Sequence, residues 1–296
     1  MELKSESVDA RSIFWKVVQS PVIRIILAAF SVAFNVSGAQ MVIRLIGTST
    51  LVNSFLAIVL TLLAAYMGYH PYVRLIEKRQ VNELAPDGAL KELGFGLLLG
   101  VGVVTTVIGL LWLTGTYQVD GFNPWMVLIP AAVANIPSGF VQEILFRGIL
   151  FRISEESLGT WAALAISTVL FGLIHIFSSG ATLFSTLSIM LEAGILLGAA
   201  YILTKRLWLA IGIHIAWDIA VDGIFGAGAS ALSGKSMQGL IQARLMDPSL
   251  LSGGSQGVEA SVVTLLVALM VGSFLTWLAW RGKKFKDSDR TFKRIR

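Results

Sequence analysis

The chain has 296 residues, of which 55% are hydrophobic and 14% charged, and its mean hydropathy is +0.76. A soluble domain of this length could not bury so much apolar surface around one core, so the composition excludes that class and points to a polytopic membrane protein. The net charge of +5 does not point to nucleic acid, because the cations lie between apolar runs and in the tail, where they act as topology signals. With no cysteine, a disulfide framework, a thiolate metal site and a cysteine nucleophile are excluded too.

Residues 1–21 are a polar segment of mixed charge whose Phe14 and Trp15 suit a membrane interface. Glu2, Glu6 and Asp9 among its cations do not resemble a cleaved signal peptide. Residues 22–125 contain three apolar runs. The first, 22–46, is interrupted by Arg24, Asn35, Gln40 and Arg44; the second, 51–69, is cleaner; the third, 93–112, carries Gly96 and Gly100 at the spacing that lets helices approach closely. Between the last two, 72–92 bears both charge signs and reads as a helix lying on the membrane surface.

Residues 126–226 form the region of chemical interest, with helices expected at 125–156, 161–176, 183–203 and 208–225. Ser, Gly and Gln dominate the next stretch, so 227–257 is expected to be a long mobile loop. The last unit, 258–296, is a final apolar run followed by a basic tail. Each run approaches the roughly 20 residues that cross hydrocarbon, so the fold class is all-α, a polytopic membrane helix bundle of about eight transmembrane helices. With eight spans, Arg11, Lys16, Arg74, Lys78, Arg79, Arg152, Lys205, Arg206 and the tail fall on one side; the other side holds little beyond Lys235 and Arg244. The positive-inside rule then places both termini in the cytoplasm, at the plasma membrane if the host is bacterial.

Three of the helices in 126–226 carry groups that hydrocarbon rejects. Glu143 and Arg147, Phe171 and His175, and His214 and Asp218 are each four residues apart, so each pair shares one helical face. Ionisable groups cost about 2.5–3.5 kcal/mol each at a bilayer centre on insertion scales, so several together indicate one shared, functional site. Glu143 and His175 lie equally far from Gly159, and a turn there sets them at one depth, as a pair able to take a proton from water. His214, with Asp218 fixing its tautomer, can donate to a developing oxyanion. Arg147 reads as a structural partner of Glu143. This chemistry fits hydrolysis of a carbonyl compound, a peptide bond above all. Glu143, His175 and His214 are also a set that could hold zinc, and the residues alone leave both mechanisms open.

The order Glu-x-x-x-Arg-Gly, Phe-x-x-x-His, His-x-x-x-Asp on successive membrane helices resembles the CPBP family, the CAAX-processing and bacteriocin-processing (Abi) intramembrane proteases. The resemblance covers about a third of the chain, roughly 129–221. It implies an eight-span endopeptidase acting on membrane-associated peptides or proteins in the lipid bilayer, with no nucleic-acid partner. It further implies that Glu143 and His175 activate water, that His214 and Asp218 form the oxyanion site, and that no metal is needed although the family is often labelled metallo. The family's leading glutamate is replaced here by Gln142, which cannot act as a general base. Either Glu143 serves alone, or another acid such as Glu192 in the sixth helix replaces it, or the chain is an inactive scaffold or immunity protein of the same fold. By helical rise Glu192 lies about two turns deeper than His214.

Overall fold

The computed structural model describes residues 10–47, 50–178, 180–228 and 238–287. A short helix, α1 (Ala10–Val18), leads into α2 (Pro21–Ile46) and α3 (Leu51–Tyr72). Then come α4 (Ala89–Leu113), strand β1 (Tyr117–Phe122), α5 (Leu128–Glu143), α6 (Arg152–Leu158) and α7 (Thr160–Leu173). The chain continues through α8 (Leu183–Thr204), α9 (Trp208–Asp218), strand β2 (Ile241–Leu245), α10 (Ser249–Ser252) and α11 (Val262–Arg281). Among the described residues seven helices are long and apolar enough to cross a membrane: Pro21–Ile46, Leu51–Glu77, Ala89–Leu113, Trp125–Leu158, Thr160–Phe177, Leu183–Thr204 and Val262–Arg281.

The shorter α9 is continued by the π-helical turns of Ile219–Ile224 and runs between the two ends of the bundle. Its first end is tied to one face, where the Leu207 amide donates to the Glu83 carbonyl at 2.9 Å. Its far end is tied to the other, where the Tyr117 hydroxyl donates to the Phe225 carbonyl at 2.7 Å. Exposed Trp112 and Trp125 mark one end of the bundle and Trp161 and Trp280 the other, as interfacial tryptophans do.

Two connections differ from the sequence reading. Residues 72–92 form no surface helix: α3 runs on through π turns at Val73–Glu77, and a loop with one 3-10 turn, Asn82–Leu84, follows. The charges of that stretch serve an ion-pair network instead. Glu77, almost fully buried, binds Arg24 at 3.0 Å, Arg79 at 2.8 Å and Arg152 at 2.8 Å, so the arginine that interrupts the first apolar run is neutralised at the bundle's edge. Burial alone would raise the Glu83 carboxyl, but hydrogen bonds from Arg79 at 2.6 Å and from Tyr69 hold it below its ordinary range. The second difference lies in 227–257, which is not all loop: β2 pairs antiparallel with β1, from Tyr117 opposite Leu245 to Phe122 opposite Ile241. The part of that stretch from 229 to 237 lies outside the described residues.

Helix α9 is drawn against α4 because glycines and the small Ala216 side chain stand where they cross. A Cβ on Gly96 would meet the Leu209 carbonyl oxygen, and one on Gly100 would lie 2.6 Å from that of Ile213. The small-residue spacing read in α4 therefore positions His214, one residue beyond that contact.

Candidate functional site

Each of the three motifs sits where a regular α-helix gives way. After Glu143 the backbone turns π-helical through Ile144–Phe151, carrying Arg147. His175 lies in a 3-10 turn, Ile174–Phe177, at the end of α7. Asp218 ends α9 and Asp222 follows in the π turns of Ile219–Ile224. Such irregular turns re-aim side chains and recur at functional sites.

The side chains converge from four elements. His214 Nδ1 donates to Glu143 Oε1 at 2.7 Å, and Arg147 Nη1 donates to the same oxygen at 2.9 Å. Arg147 also donates from Nη2 to the Ala193 carbonyl at 3.1 Å and lies 4.9 Å over the Phe171 ring. Phe171 is the packing hub, with its ring 5.2 Å from that of His175 and 6.0 Å from that of His214. His175 Nδ1 donates to the Phe171 carbonyl at 2.9 Å; a carbonyl only accepts, so the proton sits on Nδ1 and a neutral ring keeps an acceptor at Nε2. His214 Nε2 lies 3.6 Å from Asp218 Oδ2, within ion-pair reach but beyond a hydrogen bond.

These groups border a cavity of about 390 Å³, within the roughly 300–1,000 Å³ typical of ligand sites. Gln142, His175, Glu192, His214 and Asp218 line it, and it reaches Ser178, Gln256 and Glu259 in the connections beyond the helix ends. Those connections are on the face of the bundle that carries β1 and β2, away from the Arg24–Glu77–Arg152 network.

Glu143 is absent from the lining and fully buried behind it. No hydrogen bond or ion pair joins it to His175 among the described residues, so the expected Glu143–His175 pair is replaced by a Glu143–His214 pair. Equal depth brought the two helices level but did not turn the carboxylate toward the second imidazole. Gln142 is the motif residue that faces the cavity. Its amide nitrogen donates to Ser138 Oγ at 2.8 Å, and its oxygen is buried without a partner. Glu192 lines the same cavity as His214, and Arg147 ties its neighbour Ala193 to the first motif.

A zinc ion does not fit the set Glu143, His175 and His214. Glu143 Oε1 already holds a guanidinium and an imidazole N–H, its Oε2 is buried outside the cavity lining, and among the described residues no group of three His, Asp or Glu is placed to hold a metal. Three further lining groups were not singled out from the sequence. Asp222 is one turn beyond Asp218 on the same face and was legible by spacing. Asn135, whose amide donates to Asp222 Oδ2 at 3.0 Å, and Glu259, which accepts from Trp217 Nε1 at 3.1 Å, carry no local signal.

In comparison with known proteins, residues 123–220 match the family model Rce1-like, described as type II CAAX prenyl endopeptidase. This is the CPBP/CAAX protease family, and the matched segment holds Gln142, Glu143, Arg147, His175, Glu192, His214 and Asp218 but ends before Asp222 and Glu259. Comparison with curated proteins and with solved structures gave no match.

Proposed function

We propose, on the premise that residues 123–220 match the CPBP/CAAX protease family, that the chain is an intramembrane endopeptidase hydrolysing peptide bonds of membrane-associated peptides or proteins. The observation that carries this reading is a cavity lined by two imidazoles whose Nδ1 atoms are both committed to donating, one to a backbone carbonyl and one to Glu143. In each ring Nε2 is then the nitrogen left for chemistry.

His175 Nε2 takes a proton from the attacking water. The hydroxide adds to the scissile carbonyl, and His214, doubly protonated, donates Nε2–H to the oxyanion while Nδ1–H stays on Glu143. Asp218 faces the imidazolium from the cavity side and Glu143 from behind, so the ring carries its charge between two carboxyl groups. His175 then passes its proton to the departing amine, and the tetrahedral species collapses to acid and amine. The role of Glu143 is to orient His214, and Arg147 in turn holds Glu143. Gln142 offers its amide oxygen to the substrate or to the water without taking a proton. Water and the chain's own side chains are the only participants, with no metal or other cofactor. The termini are cytoplasmic, which turns the cavity mouth to the opposite face of a bilayer such as the bacterial plasma membrane.

The test is cleavage of a peptide library by the purified protein in lipid nanodiscs. Turnover that disappears in His175→Ala and persists in the presence of a chelator supports the reading. Full activity in His175→Ala overturns it.

A further inference from the structure

The catalytic groups account for only part of the cavity. Four carboxyl groups also face it: Glu192 from α8, Asp218 and Asp222 from α9 and its extension, and Glu259 from the 3-10 turn Val258–Ala260 that precedes α11. Among the described residues no Lys or Arg lines the cavity. There Asp218 meets the His214 ring, Asp222 the Asn135 amide, and Glu259 the Trp217 indole N–H. Glu192 is 2% exposed, and its Oε2 has no hydrogen-bond partner among the described residues. Glu259 is the centre of the group, within electrostatic reach of the other three.

A buried carboxyl group without a partner costs several kcal/mol when charged, and elsewhere in this chain burial comes with compensation. Glu77 takes three arginines, Glu143 an arginine and an imidazole, and Glu155 binds Lys205. The cavity wall is the exception, and a cation brought in from outside is the natural partner for it. The placing of the acids favours an organic cation over a metal ion: they come from three elements around a space of about 390 Å³, and among the described residues no three are gathered tightly enough to hold a metal. A primary ammonium or guanidinium has several donors and can be shared among carboxyl groups that do not converge on a point.

We propose that Glu192, Asp222 and Glu259 form a specificity subsite that binds the cationic side chain of a lysine or arginine close to the scissile bond of the peptide substrate. This rests on the proposed peptidase reading and adds a substrate class to it. Asp218 and Glu259 are both within electrostatic reach of His214, so a bound cation is held beside the reacting groups. Carboxyl groups whose ionisation the empty cavity disfavours ionise as partners of the cation when it is filled.

Binding of acylated hexapeptides to the full chain in nanodiscs tests the subsite, with one position at a time carrying lysine, N-acetyl-lysine or norleucine. Affinities are measured by calorimetry on His175→Ala, so that no peptide is consumed, and cleavage is followed separately on the parent. At one position lysine is expected to bind at least about 10-fold tighter than either neutral residue, as loss of a charge-assisted bond implies. Glu259→Gln and Glu192→Gln, each checked for a melting temperature no lower than the parent's, are expected to reduce that ratio to near one. Equal affinity for lysine and norleucine at every position overturns the subsite, as does a ratio that survives both substitutions. Calcium or zinc binding that displaces the lysine peptide also overturns it and assigns the acids to a metal. Lysine preference without cleavage of any peptide sinks the peptidase reading and keeps the subsite; cleavage without preference does the reverse.

Discussion

Two histidines of the same cavity are prepared for different tasks by what their Nδ1 atoms touch. His175 is held by the Phe171 carbonyl, which secures its tautomer without adding charge, whereas His214 is held by a carboxylate. Replacing Glu143 by Gln keeps an acceptor for His214 Nδ1 and removes the charge that supports an imidazolium. Glu143→Gln is therefore expected to lower kcat by about 10²–10³, the scale of losing oxyanion support, with KM little changed, in peptide turnover. His175→Ala is expected to leave no measurable turnover. The cavity acids carry a pH signature. Burial first, then the charges of Asp218 and Asp222, push the Glu259 carboxyl up to about 8; His214, Glu192 and the Trp217 indole also face it. The folded chain thus keeps a proton there that the unfolded chain gives up near ordinary carboxylate pH, and stability falls as pH rises toward about 8 and then levels. Glu259→Gln is expected to remove that part of the pH dependence when melting is followed from pH 5 to 9.

At the scale of elements, the site depends on how closely α9 approaches α4. A Cβ on Gly100 would lie 2.6 Å from the Ile213 carbonyl oxygen, while one on Gly102 of the same helix meets nothing within 4 Å. Gly100→Ala is expected to cost about 1–3 kcal/mol through overpacking and to displace His214, and Gly102→Ala to be neutral or slightly stabilising. Denaturant titration of the two variants side by side measures the difference. The ion-pair network at the opposite end joins α2, the extension of α3 and the start of α6 through one buried carboxylate. Glu77→Ala leaves three guanidinium groups around an empty position and is expected to lose about 3–5 kcal/mol, read in the same titration.

For the whole molecule, the two ends of the bundle are chemically unlike. One end holds the arginine network and the Lys205–Arg206 turn; the other holds the antiparallel β1–β2 pair and the mouth of the cavity. With the termini cytoplasmic, as the positive-inside rule proposes, substrate enters from the opposite face. Cysteines placed at Gln118 in β1 and at Lys283 after α11 are expected to report opposite sides. An impermeant reagent should label Gln118→Cys in intact cells and Lys283→Cys only after permeabilisation. Labelling of Lys283→Cys from outside reverses the orientation. Ser233 and Ser288, natural choices on the sequence for the same test, lie outside the described residues.

The chain by itself determined the class of fold and singled out some of the residues that the cavity brings together. Apolar runs of about 20 residues leave a helix bundle as the solution in hydrocarbon, because every backbone group must bond within its own segment. Pairs at four-residue spacing place Glu143 with Arg147 and His214 with Asp218, contacts that the structure makes. Gly96 and Gly100 announced a close helix crossing, though not that its partner would be α9. What the tertiary structure decided is which side of a helix faces which neighbour. A residue count sets depth but not rotation, and the π turns after Glu143 alter rotation locally. Gln142 therefore looks into the cavity and Glu143 behind it, a distinction between adjacent residues that spacing cannot make. Glu259 joins Asp218 and Asp222 across a stretch that includes a strand. Such a contact exists only once the sheet and α11 are packed, since nothing local to Glu259 depends on it.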